Sequence, residues 1–217
     1  MSLLKTIRQQ LGLSNTPANN FTLDASADNG TMKLARSSGQ DILTVDNNGV
    51  VAAVQGIRGN VFSDTAKAST SGTSIDFTGI PSWAKRITVM FNGVSTSGTS
   101  PVQIQLGDSG GVETTGYAGT ATYHITATNA GAMSSGFLVE PSPNASAAGV
   151  RNGQAVFSLL GGNTWVFLSG MGRSDNGSIT LGFGSKTISD TLTQVRITTV
   201  NGTDTFDDGS INILYEG

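Results

Sequence analysis

The chain has 217 residues, a formal net charge of -3 and only 12% charged residues, about half of the ~25% usual in globular domains. That balance offers no basis for a nucleic-acid partner, because phosphate binding needs clustered Lys and Arg. The absence of Cys removes any disulfide scaffold, thiolate metal site or thiol nucleophile.

The missing charge is replaced by 29 Gly and many Ser, Thr and Asn. This mixture suits short strands, many turns and surfaces that bind through neutral polar groups or pack against other copies. The length admits one large all-β domain, or a domain of roughly 150 residues with an extension. No run of about 18 apolar residues is present, so membrane insertion is not expected. The N-terminus has Lys5 but no apolar h-region of a signal peptide.

Taken in order, Ser2 to Leu13 predicts a helix. Leu3, Ile7 and Leu11 recur at i, i+4 and i+8, joined by Leu4 in one apolar stripe. Ser2 serves as N-cap, and Gly12, Asn15 and Pro17 form a stop. A helix this short is marginal alone in water. Leu3, Leu4, Ile7 and Leu11 are therefore the expected attachment and oligomerisation residues.

Asn20 to Val54 predicts small β-hairpins. Short apolar pieces alternate with Asp28-Asn29-Gly30 and Asn47-Asn48-Gly49, and Asn-Gly is the preferred step of tight hairpin turns. These strands carry too few large residues for a core of their own and predict a neighbour. The loops lack the acidic density of a calcium site, so no metal is expected. Gly56 to Ser71 reads as a linker, with a boundary near Val61. Residues 1–60 carry five basic and four acidic side chains (+1), against seven and eleven (-4) in 61–217.

The second domain is organised around Thr73 to Phe91. Ile75 and Phe77 alternate with polar residues, Gly79, Pro81 and Ser82 break the run, and Ile87, Val89 and Phe91 share one face. Trp83 stands at the corner, where a large ring closes the end of a two-sheet core. Further strands are predicted near 102–106, 120–128, 136–140, 155–160, 165–171, 178–183, 194–200 and 210–215, about ten in all. Regular short strands with turn signals predict a mainly β chain with a sandwich of jelly-roll-like type over residues 61–217. Pro141 to Gly153 is its longest stretch without strand character and predicts an exposed loop.

The chemistry inventory is thin. His124 is the single histidine, too little for a common zinc site, and no G-x-S-x-G elbow accompanies it. Gly107-Asp108-Ser109-Gly110-Gly111 resembles a protease nucleophile neighbourhood, but the histidine follows it and no supporting pattern exists; a turn is expected. No enzyme activity and no cofactor are expected. For sugar binding, the aromatics in polar surroundings are Tyr117 and Tyr123, with His124 beside them; Trp83 and Trp165 read mainly as core.

Two further stretches resemble a known class. Thr78 to Phe91 (Thr-Gly-Ile-Pro-Ser-Trp-Ala-Lys-Arg-Ile-Thr-Val-Met-Phe) and Asp204 to Glu216 look like a domain of structural proteins of tailed bacteriophages, described as tail fibres or head decoration proteins. Gly39 to Val50 resembles the small β-segments that precede phage fibre heads. The resemblance implies a virion protein, commonly a homotrimer. Its N-terminal part would bind other phage structural proteins of capsid or tail, and its sandwich would face outward toward host surface polysaccharide. A capsid cement protein is the alternative expectation, and a glycan-processing enzyme the second.

Overall fold

The computed structural model describes residues 10–11, 21–24, 32–36, 41–45, 51–53, 61–125 and 128–217. The chain divides into two compact units, Met1–Asn60 and Val61–Gly217.

In the first unit, β1 (Gln10–Leu11), β2 (Phe21–Asp24), β3 (Met32–Arg36), β4 (Asp41–Val45) and β5 (Val51–Ala53) form an antiparallel sheet in sequence order. Each strand lies beside its chain neighbour, as expected when turns alone set the pairing. The predicted helix is corrected at its described end. Gln10 and Leu11 pair with Thr22 and Phe21 as a strand, because a helix of that length has little stability to set against a ladder. Leu11 therefore lies in a strand, while Leu3, Leu4 and Ile7 lie outside the described residues.

The second unit is a β-sandwich. Its strands are β6 (Val61–Ser63), β7 (Lys67–Ala68), β8 (Ser74–Thr78), β9 (Arg86–Thr96), β10 (Val102–Asp108), β11 (Gly111–Val112), β12 (Ala118–His124), β13 (Thr128–Ala132), β14 (Phe137–Leu138), β15 (Arg151–Gly161), β16 (Thr164–Arg173), β17 (Ile179–Thr187), β18 (Gln194–Thr199) and β19 (Phe206–Glu216). The smaller sheet runs β11-β10-β18-β8, with β14 also on β10. The larger runs β13-β12-β17-β16-β15-β9-β19-β6, with β7 also on β19. Every pairing is antiparallel. Residues 61–68, read from sequence as linker, instead supply two short edge strands to β19.

Period-2 alternation sends Ile75, Phe77, Ile104, Val195 and Ile197 of the smaller sheet inward. They meet Ile87, Val89, Phe157, Phe167, Ile211 and Ile213 of the larger. Phe137, Phe157 and Phe167 pack together with ring centroids 4.6 to 5.5 Å apart, a geometry that adds to plain burial. Trp83 lies half-buried against this core at the β8–β9 corner, within 6.4 Å of Phe62 and 5.9 Å of Tyr215.

The 141–153 stretch is only partly the exposed loop expected. Ser142–Asn144 forms a single 3₁₀ turn in which Asn144 is buried, and Arg173 donates to the Asn144 backbone carbonyl. Arg151, 1% exposed, forms an ion pair with Glu140 at 2.5 Å.

Candidate functional site

The alternation that points Val195 and Ile197 into the core points Arg196 and Thr198 out of it. Register then aligns their neighbours. Arg196 stands between Gln105 of β10 and Asp76 of β8, and Thr198 between Gln103 and Ser74. Two rows of three polar side chains thus cross the outer face of the smaller sheet. All of these but Asp76, with Thr73, Thr199, Val200 and Asn201, line an open depression of roughly 250 Å³, just under the ~300–1,000 Å³ of small-ligand sites; Gln103, Gln105 and Thr198 form its buried floor, at 2%, 5% and 7% exposure. Its shallow form suits one or two units of a long polymer lying across the sheet.

The side chains are held in place. Arg196 makes a two-pronged contact with Asp76, Nε to Oδ1 and Nη2 to Oδ2, both 2.7 Å. The Asp76 carboxylate raises the Arg196 pKa above its ordinary value. Thr198 donates to the Thr73 carbonyl at 2.8 Å. Gln105 Nε2 donates to the Ser135 carbonyl at 2.8 Å, and Ser135 Oγ donates to Gln103 Oε1 at 2.9 Å. At the rim, Asn201 Nδ2 donates to Asp204 Oδ1 at 2.7 Å, closing the 201–204 turn. With the Gln103, Gln105 and Thr198 side chains buried and bonded within the protein, the groups presented outward are those of Thr73, Ser74, Arg196 and Asn201, a neutral polar rim around one neutralised ion pair that suits hydroxyl-rich ligands and disfavours strongly charged ones.

The three glycan-contacting residues expected from sequence are not brought together. Tyr117 is corrected outright: it is 5% exposed, packs edge-on against Phe137 at 4.9 Å, and its hydroxyl accepts from the Leu106 N–H at 2.8 Å. Burial pushes its pKa upward. No face of that ring is left for a sugar. Tyr123 is half-buried on β12 and its hydroxyl accepts from Asn129 at 3.4 Å. His124 is exposed at the end of the same strand, opposite Ile179. Both belong to the larger sheet. Trp165 is 3% exposed in the core and lines a pocket of about 80 Å³ beside Pro81 and Leu192, room for only a few waters at ~30 Å³ each.

Sequence reasoning registered Gln103 and Gln105 only as the polar half of a strand. The signal that could have pointed to the groove is the same alternation on β8 and β18, Ser74-Asp76 and Arg196-Thr198. What it lacked was register.

Two carboxylates come together on one hydroxyl. Asp108 and Glu113 both face the Ser189 hydroxyl, at 2.6 and 2.8 Å. The Ser189 hydroxyl and the Gly110 N–H hold Asp108 below its usual range. Burial works to raise Glu113, but Lys186 and Ser189 outweigh it and lower it. Glu140 is shifted upward by burial, yet it is sealed at 1% exposure against Arg151. Among the described residues no group of three or more His, Cys, Asp and Glu side chains is arranged to hold a metal ion. Comparison of the chain with protein-family models, with curated proteins and with solved structures finds no match in any of the three.

Proposed function

We propose that this chain is a non-catalytic structural protein of a tailed-phage particle, attached through residues 1–60 and displaying its sandwich as a homotrimer for adsorption to neutral host polysaccharide. The observation that carries the adsorption is the depression whose accessible rim is Thr73, Ser74, Arg196 and Asn201 and whose floor is Gln103, Gln105 and Thr198, with its polar groups held in place by hydrogen bonds. The particle setting draws on the resemblance of Thr78–Phe91 and Asp204–Glu216 to phage structural proteins. The two stretches are partners in space: β9 and β19 pair from Arg86↔Glu216 through Phe91↔Ile211. The jelly-roll-like reading belongs to the same proposal; it draws on β8 lying beside β18 while β9 lies beside β19, so that the first strands wrap against the last.

The reading as non-catalytic draws on glycosidase chemistry. A hydrolase of this kind needs one carboxyl held protonated in an open cleft, with a second about 5 to 10 Å away. The upward-shifted carboxyl here, Glu140, is buried and ion-paired.

The test is calorimetric titration of the full-length protein with purified surface polysaccharide from the host. Arg196→Ala removes the ordered fork at the centre of the groove and should weaken binding at least tenfold, while the melting temperature moves by only a few degrees, as for other part-exposed pairs. Wild-type affinity in that variant would place adsorption elsewhere. Particles lacking the protein that burst at lower temperature yet adsorb normally would favour the cement role instead.

A further inference from the structure

Three charged residues lie on β12, β13, β15, β16 and β17, and all three are buried: Arg151, Arg173 and Lys186. The outward positions of the same strands carry Val166 (42% exposed), Leu168 (50%), Ile179 (56%), Leu181 (43%) and Phe183 (48%). This is the reverse of an ordinary solvated sheet, where the outer face holds the charges. We infer that the outer face of the larger sheet is a self-association surface, turned inward against the same faces of the other two copies around the axis of the proposed trimer.

Register makes the apolar groups contiguous. Leu168 lies directly opposite Phe183 on one side and Val156 on the other, giving a row across β15, β16 and β17. Leu181 and Ile179 stand opposite Gly170 and Gly172. A methyl added at Gly170 would meet only Leu181 Cδ2, at 3.9 Å, so the glycines form shallow troughs beside ridges of large side chains. Ridge and trough on one surface is what face-to-face packing of two sheets requires.

The occupant follows from charge and side-chain type. With no Asp, Glu, Lys or Arg pointing outward on these strands, the face has nothing to steer or pair a charged partner. A lipid surface calls for basic residues and interfacial Trp or Tyr, and the exposed apolar group here has neither. Sugars stack on aromatic rings, and Phe183 is the one large ring in the row. The apolar row is flanked by neutral polar groups, Thr120, Thr122 and His124 on β12 and Gln154 and Ser158 on β15; such a face without Asp, Glu, Lys or Arg is best matched by others of its kind, and the proposed homotrimer supplies them at high local concentration. Packing there leaves the polar groove, on the opposite sheet, facing solvent. The inference rests on the oligomeric part of the function proposed above and not on its ligand.

The chain has no Cys, so a single introduced thiol reports one location. In the full-length protein under conditions where light scattering shows an assembly, Leu168→Cys should label with maleimide at least tenfold more slowly than Thr73→Cys at the groove. Adding Phe183→Glu should restore fast labelling, with circular dichroism confirming the fold. Val166→Cys repeats the measurement if Leu168→Cys does not fold. Equal rates at the two faces of an assembled protein would overturn the proposal, as would a protein that is monomeric at every concentration. Polysaccharide binding is read separately on Arg196→Ala, so either conclusion can fail alone.

Discussion

Arg151 carries a full charge into the sandwich, and its partners explain how the fold tolerates it. Its Nε donates to Glu140 Oε1 at 2.6 Å and its Nη1 to the Gly149 carbonyl at 3.0 Å, so one side chain fastens both ends of the 140–149 stretch. The desolvation cost of such a pair roughly offsets its attraction, whereas removing one partner strands the other. Arg151→Met should therefore lower the unfolding free energy by about 3–5 kcal/mol, measured by urea denaturation, and Glu140→Leu added to it should recover most of the loss. Gly209 tests backbone rather than charge. Its φ of +92° and an added Cβ only 2.4 Å from the Gly93 carbonyl oxygen leave no room where β9 and β19 shift register. Gly209→Ala should cost about 1–3 kcal/mol in the same experiment.

At the scale of elements, the strand periods were legible and their partners were not. Ile75-Phe77, Ile87-Val89-Phe91 and Val102-Ile104-Leu106 alternate so regularly that β8, β9 and β10 follow from hydrophobic period alone. Residues 120–128 read as one strand but turn after His124, so that β12 and β13 pair as a hairpin. The groove stayed hidden because it joins β8, β10 and β18, three strands far apart in sequence. Tyr117 misled for a related reason: its polar neighbours in the chain are not its neighbours in space, which are Phe137 and the Leu106 backbone. The pinning of the turns is also invisible before folding, and it has a pH signature. Asp175 is lowered from its ordinary 3.8, chiefly by hydrogen bonds from Arg173; Glu113 is lowered from 4.5, with Lys186 and Ser189 outweighing burial. Each binds its proton more weakly folded than unfolded. The stability they contribute is therefore present above the ordinary carboxylate range and lost as pH falls through their lower folded values. Thermal melts from pH 7 to pH 2 should show that decline, and Asp175→Asn should flatten it.

At the scale of the whole molecule, the two units differ in what they can do alone. Residues 61–217 contain a complete core, from Phe77 and Ile104 to Phe157, Phe167 and Ile213, all at most 1% exposed. A fragment comprising them should melt in one cooperative transition within a few degrees of the corresponding step in the full chain. If the proposed attachment through the first sixty residues holds, the fragment should also fail to join particles. Its association state then separates two sources of assembly. If residues 1–60 hold three copies together and the larger sheet adds a second contact, the full chain should stay trimeric on dilution while the fragment dissociates. The fragment's remaining association should respond little to salt, because the face it uses carries no outward charge. Light scattering on both proteins across concentration and ionic strength decides this. A fragment that stays trimeric on dilution would move the main assembly contact into the sandwich, and one that dissociates more readily in high salt would mean that ion pairs, and not the Leu168–Phe183 row, hold its copies together.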